Sequence, residues 1–148
     1  QKYSYFLSMI MDLFRQDKVY FQSLSGNSDK EFIGTGKNMK KENIQQMIRG
    51  WFIGPFTPAV FHSDQFEVAV KHYSAGDYEA AHYHNIATEI TMIVSGRVRM
   101  SGEYFVGGDI VTVPPGEVTD FFAEEETTTL VVKSPAARED KHFAEDKQ

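Results

Sequence analysis

Residues 76–96 read Gly-Asp-Tyr-Glu-Ala-Ala-His-Tyr-His-Asn-Ile-Ala-Thr-Glu-Ile-Thr-Met-Ile-Val-Ser-Gly, and this stretch decides the fold. His82 and His84 are two positions apart, so on an extended strand both imidazoles leave the same face. Glu89 follows at the head of an apolar, β-type run over 90–94. Two imidazole nitrogens and one carboxylate oxygen converging on a point hold a divalent first-row metal with positions left open. His82, His84 and Glu89 are therefore the candidate metal ligands. Glu89, if not coordinated, is also the natural general base, and Tyr78 and Glu79, expected on a loop near the pocket mouth, are weaker proton-transfer candidates.

The pattern around this stretch has a period of two. In 97–100, Arg97 and Arg99 alternate with Val98 and Met100, leading to a turn at Ser101-Gly102. The run 110–113 ends at Pro114-Pro115-Gly116, where the first proline stops a strand and the glycine permits a tight turn. The β-branched run 127–132 predicts a late strand. Upstream, Phe66, Val68, Val70 and His72 share one face of a strand, and Glu67, Ala69, Lys71 and Tyr73 the other. The apolar face is expected to point inward and to carry His72 with it. Strands at this spacing with glycine-rich turns predict an all-β fold, a small antiparallel barrel or double-sheet roll enclosing a pocket.

These residues resemble the cupin family. Gly76, His82, His84, Glu89 and Gly96 fill the Gly, His-x-His, Glu and Gly positions of its first motif. Gly108, Pro114 and Gly116 match the glycine and proline frame of the second motif, but Thr119 stands where that motif has its His and Ala123 where it has its Asn. The resemblance implies a cupin-type antiparallel β-barrel, also described as a double-stranded β-helix or jelly roll, with a divalent ion (Fe, Mn, Ni, Cu or Zn) as cofactor. The family's fourth ligand is missing, and His72 or Asp120 is the candidate to replace it. The resemblance further implies a metal-binding cupin with a small-molecule ligand in its pocket. One reading is a small metalloenzyme of isomerase, lyase or dioxygenase type, acting on a sugar or a hydroxy or keto acid. The other is a non-catalytic binding or sensing domain, with or without metal.

Before the barrel, 3–15 places Phe6, Leu7, Ile10, Met11 and Phe14 at helical spacing, and 19–24 reads as a strand. Asn38 can cap a helix over 39–49 that Gly50 stops. The expected organisation is a helical extension over 1–50 serving as interface or cap, a barrel over 51–134, and a charged tail over 135–148 that frays. The apolar excess of the first helix predicts a homodimer. Among 148 residues, 41% are hydrophobic and 14% aromatic, a globular balance in one domain. A net charge of −6 argues against nucleic-acid or anionic-membrane partners, which need basic patches. The longest apolar stretch, 5–14, is too short for a bilayer and Asp12 interrupts it; with no cysteine and no signal-peptide pattern, a cytoplasmic location is expected.

Overall fold

The computed structural model describes residues 38–146, and the helix expected over 3–15 and the strand over 19–24 lie outside them. The described chain from Lys40 onward falls in one compact unit. Its strands are β1 (Trp51–Ile53), β2 (Glu67–Tyr73), β3 (Tyr78–His84), β4 (Thr88–Ser95), β5 (Arg97–Met100), β6 (Glu103–Val106), β7 (Ile110–Val113), β8 (Thr119–Ala123), β9 (Thr127–Ser134) and β10 (Lys141–Phe143). They form two sheets, ordered β1-β2-β9-β4-β7 and β10-β3-β8-β5-β6, with antiparallel pairing throughout.

The pairing has a simple origin. β5 pairs with β6, β4 with β7, β3 with β8 and β2 with β9. From β2 to β9 the chain is one long hairpin with its apex at Ser101-Gly102, coiled so that successive segments fall alternately in the two sheets. The apex suits its residues: Ser101 and Gly102 both have positive φ, and the Ser101 N–H donates to Asp120 Oδ1 at 2.6 Å. Closing the two sheets on each other leaves one inner face to fill.

Ile93 from one sheet and Val98, Met100, Phe121 and Ala123 from the other fill part of it, with Tyr73, Phe105 and Val111 packed around them. Ile93 and Val98 are fully buried, which stabilises by about 1.5–3 kcal/mol for each side chain. The rest of the interior is open and forms the pocket described below. Gly96, the last residue of the quoted stretch, has positive φ and lies against Thr127, so a side chain there would strike Thr127 Oγ1 and the Glu126 carbonyl. At Gly76 a Cβ would meet nothing, and only its positive φ favours glycine.

Three expectations change. The segment 39–49 is not one helix but two short 3₁₀ turns, Ile44–Gln46 and Ile48–Gly50. Asn43 and Gln46 form a capping box on the first turn; the extended Met47 and left-handed Arg49 and Gly50 prevent continuation. The inner face of β2 is the opposite of the one expected: Glu67, Lys71 and Tyr73 line the pocket, and His72 is exposed. Of the outer residues of β2, Val68 is buried and Val70 is covered by Gly50, which lies directly on its carbonyl. The tail does not simply fray. Its β10 pairs with β3, placing Lys141 opposite His84 and Phe143 opposite His82. Arg138 ties the preceding turn to the Pro55 carbonyl.

Candidate metal centre

β3 carries the two histidines, and a bulge decides what stands beside them. Glu79 is opposite Phe121 and His82 is opposite Thr119, so three steps on β3 match two on β8. The extra residue reverses the alternation. Glu79, His82 and His84 therefore all face the pocket, while Tyr78 is 74% exposed and lies outside it. Of the two upstream candidates, the structure brings Glu79 to the site, from a strand and not a loop, and leaves Tyr78 out. Tyr83 points outward and stacks on His142 at 5.4 Å between centroids.

Each imidazole is held through Nδ1. His82 Nδ1–H donates to the Ala80 carbonyl at 2.8 Å, and His84 Nδ1–H to the Asp140 carbonyl at 2.9 Å. A carbonyl only accepts, so Nδ1 carries the proton in both rings and each Nε2 keeps its lone pair for a cation. Burial lowers the His82 pKa against the pull of the Ala80 carbonyl, favouring the neutral, ligating form. Glu89, near the start of β4, presents Oε2 to His84 Nε2 at 3.2 Å, and its Oε1 accepts from the Thr91 hydroxyl at 3.1 Å. Burial raises the Glu89 pKa, but His84, Lys71 and His82 outweigh it and hold the group below its ordinary value. With Nδ1 protonated, a neutral His84 would set two acceptors face to face at 3.2 Å. A proton shared between the two residues, or a divalent ion that both would hold, relieves that contact. Among the described residues, His82, His84 and Glu89 each offer a ligand atom, all within 4.8 Å of one another.

The candidate fourth ligands do not join them. His72 lies on the outer face of β2, its Nδ1 3.0 Å from Thr128 Oγ1. Asp120 follows strict alternation on β8, is exposed, and spends its carboxylate on the Ser101 N–H. Thr119 is buried across from His82, but its hydroxyl donates to the Asp120 carbonyl at 3.1 Å and contacts Ser101 Oγ at 3.3 Å.

Two features escape a sequence reading. Asp140, in the supposed tail, accepts from the backbone N–H groups of Asn85, Ile86 and Ala87 at 2.9–3.2 Å. Burial works against its charge, but these donors outweigh it and lower its pKa. The β3–β4 loop, which spaces His84 from Glu89, is thus built around a carboxylate from the far end of the chain. The second feature is the set of donors around Glu79, which accepts from Lys71 Nζ at 2.9 Å, Lys141 Nζ at 2.7 Å and the Tyr73 hydroxyl at 2.7 Å. Burial opposes the Glu79 charge, yet Lys71, Lys141 and Tyr73 hold its pKa well below the carboxylate range. Burial and the adjacent Glu79 push the Tyr73 phenol far up, so it stays a donor.

A depressed carboxylate pKa adds stability above the unfolded value of about 4.3 and loses it as the pH falls. Glu79→Gln is therefore expected to be less stable than the wild type at pH 6–7, with the gap narrowing towards pH 3. Thermal unfolding followed by circular dichroism across that range checks it; a gap that widens on acidification contradicts it.

These groups line a cavity of about 760 Å³ whose other walls include Trp51, Phe56, Met100, Phe121 and Phe143. Among the described residues no helix is long and apolar enough to cross a membrane. No family model matches the sequence, and no curated protein sequence matches it. Solved structures do. A conserved protein with a double-stranded β-helix domain from Klebsiella pneumoniae is 19% identical, with a TM-score of 0.54 over 78% of this chain and 99% of that one. The DMSP lyase DddQ from Ruegeria pomeroyi is 23% identical, with a TM-score of 0.55 over 66% of this chain and 51% of that one. At such identity the likeness concerns the fold alone. The coiled-hairpin topology, the two antiparallel sheets and these likenesses agree: this chain has the cupin fold, the double-stranded β-helix.

Proposed function

We propose that the protein is a metal-binding cupin, a small metalloenzyme acting on an oxygen-rich small molecule such as a sugar or a hydroxy or keto acid. The observation carrying this reading is the pair of imidazoles fixed at Nδ1 by carbonyls, which leaves Nε2 to ligate with the Glu89 carboxylate at hand. His82, His84 and Glu89 would hold a divalent ion. When bound, that ion supplies Lewis-acid polarisation of ligand oxygens or, as iron, oxygen chemistry. The protein's own residues do the rest. Thr91 and His84 orient the two Glu89 oxygens, Asp140 sets the loop between His84 and Glu89, and the aromatic walls limit water around a bound ligand. Glu79 is a weak candidate base, because three donors occupy it and its pKa is depressed.

That same locked network favours a second reading, a binding or sensing domain using the same pocket. The two separate on turnover. Metal-loaded protein incubated with panels of sugars and of hydroxy and keto acids, followed by NMR, is expected to convert a member of one panel. Glu89→Gln should slow the conversion by about 10²-fold or more. Ligands that bind and are recovered unchanged favour the sensing domain. The homodimer and the cytoplasmic location remain part of the proposal. A monomer mass by light scattering, or fractionation outside the cytoplasm, overturns the respective part.

A further inference from the structure

Along β4 the inward positions are Glu89, Thr91 and Ile93, and Ile93 is in register with Thr129 on β9, which is in register with Lys71 on β2. Lys71 and Thr129 are thus direct cross-strand neighbours on the inner face, two inward positions along from Glu89. Thr129 is fully buried in the pocket wall, and its Oγ1 has no hydrogen-bond partner among the described residues. A buried hydroxyl left unpaired is costly, and native proteins seldom keep one without a use. Lys71 donates one of its ammonium hydrogens to Glu79 and keeps two.

The charges around the pair are unequal. Lys133 and Glu67 pair at 2.6 Å and cancel. Glu89 lies against His84, and Asp120 accepts from the neutral Ser101 N–H, so both remain negative away from the pair. Lys71 and Lys141 share the single carboxylate of Glu79 and leave one positive charge over. Arg49, exposed at the rim, adds a solvated one. The remaining wall is aromatic and aliphatic apart from Thr57, Thr91, Thr119 and the two histidines.

We infer that Lys71 and Thr129 form a carboxylate subsite, and that the pocket takes a monocarboxylate with an apolar body whose carboxylate oxygens accept from the Lys71 ammonium and the Thr129 hydroxyl. The local excess of one cation around Glu79 matches one carboxylate better than a phosphate dianion, and Trp51, Phe56, Phe121 and Phe143 suit an apolar body. The inference rests on the pocket being a ligand site, as proposed above, and does not require the metal.

The test compares acids with amides of the same shape, benzoate with benzamide and mandelate with mandelamide. Calorimetry is run on metal-free and metal-loaded wild type, Lys71→Met and Thr129→Val. At least one acid is expected to bind with a Kd of about 1 mM or tighter and about tenfold better than its amide. Each substitution should erase most of that preference while leaving metal content unchanged. Thr129→Val should also raise the thermal midpoint of the ligand-free protein, because it removes the unpaired hydroxyl. Acids bound no better than amides, no binding by any probe at about 10 mM, or wild-type preference in both variants overturns the inference. Acid preference in a protein that takes up no metal overturns the metal reading alone. Metal uptake without acid preference overturns the carboxylate subsite alone.

Discussion

The double substitution His82→Ala/His84→Ala is expected to weaken divalent-ion binding by about 10³-fold or more, roughly 4 kcal/mol. Both rings are already oriented: the Ala80 and Asp140 carbonyls fix the tautomer and aim Nε2 into the pocket. The free energy of binding therefore comes from two prearranged nitrogens and one carboxylate, and removing two of three donors leaves Glu89 alone. Titration against a competing chelator reads the change. His72→Ala is the control, because His72 is exposed on the other face of β2; it should keep wild-type affinity. Affinity of the double variant within threefold of the wild type would contradict the assignment, as would an equal loss in His72→Ala.

Asp140→Ala is expected to cost about 3–5 kcal/mol of stability and to weaken metal binding by about 10–100-fold. Its carboxylate is nearly inaccessible and satisfies three consecutive backbone N–H groups, which would otherwise lie half-buried or buried without acceptors. Hydrogen bonds to a charged group are worth more than neutral ones, and leaving their donors unpaired adds a desolvation cost. The thermal midpoint should fall by about 10–20 °C for a unit of this size. Metal affinity should fall with it, because the loop Asp140 organises joins His84 to Glu89 and the Asp140 carbonyl holds the His84 ring. Asp140→Asn keeps one acceptor oxygen and should fall between the two. A midpoint within about 3 °C of the wild type for Asp140→Ala would show that the loop does not depend on the tail.

The grouping of His82, His84 and Glu89 was legible in the sequence because all three lie within one local stretch whose spacing fixes them on neighbouring inward positions. The strands at 97–100, 110–113 and 127–132 were legible for the same reason: their alternation or β-branched run is local. What was not legible depends on pairing across the coiled hairpin. The inner face of β2 carries Glu67 and Lys71, which an apolarity pattern assigns to solvent. They point inward because Lys133 on β9 and Glu79 on β3 neutralise them there. The place of Glu79 depends on a bulge that Ala80 and Ala81 give no sign of, and that bulge follows from the register with β8. β10 is too short and too charged to give a period, so Asp140 and Lys141 read as tail. The helix expected over 39–49 had adequate apolar spacing, but tertiary contact of Gly50 with β2 and the left-handed turn at Arg49 overrode it.

The central claim is that three residues on β3 and β4 hold a divalent ion, and its most direct measurement is the metal content of the wild-type protein. Untagged protein purified without chelator, then reconstituted separately with iron, manganese, nickel, copper and zinc, would be analysed by elemental mass spectrometry after gel filtration. The account predicts about one ion per chain with at least one of these metals. Protein that leaves the column free of metal after every reconstitution would contradict it, and would make the contact between His84 and Glu89 a proton-bridged pair lining a polar pocket.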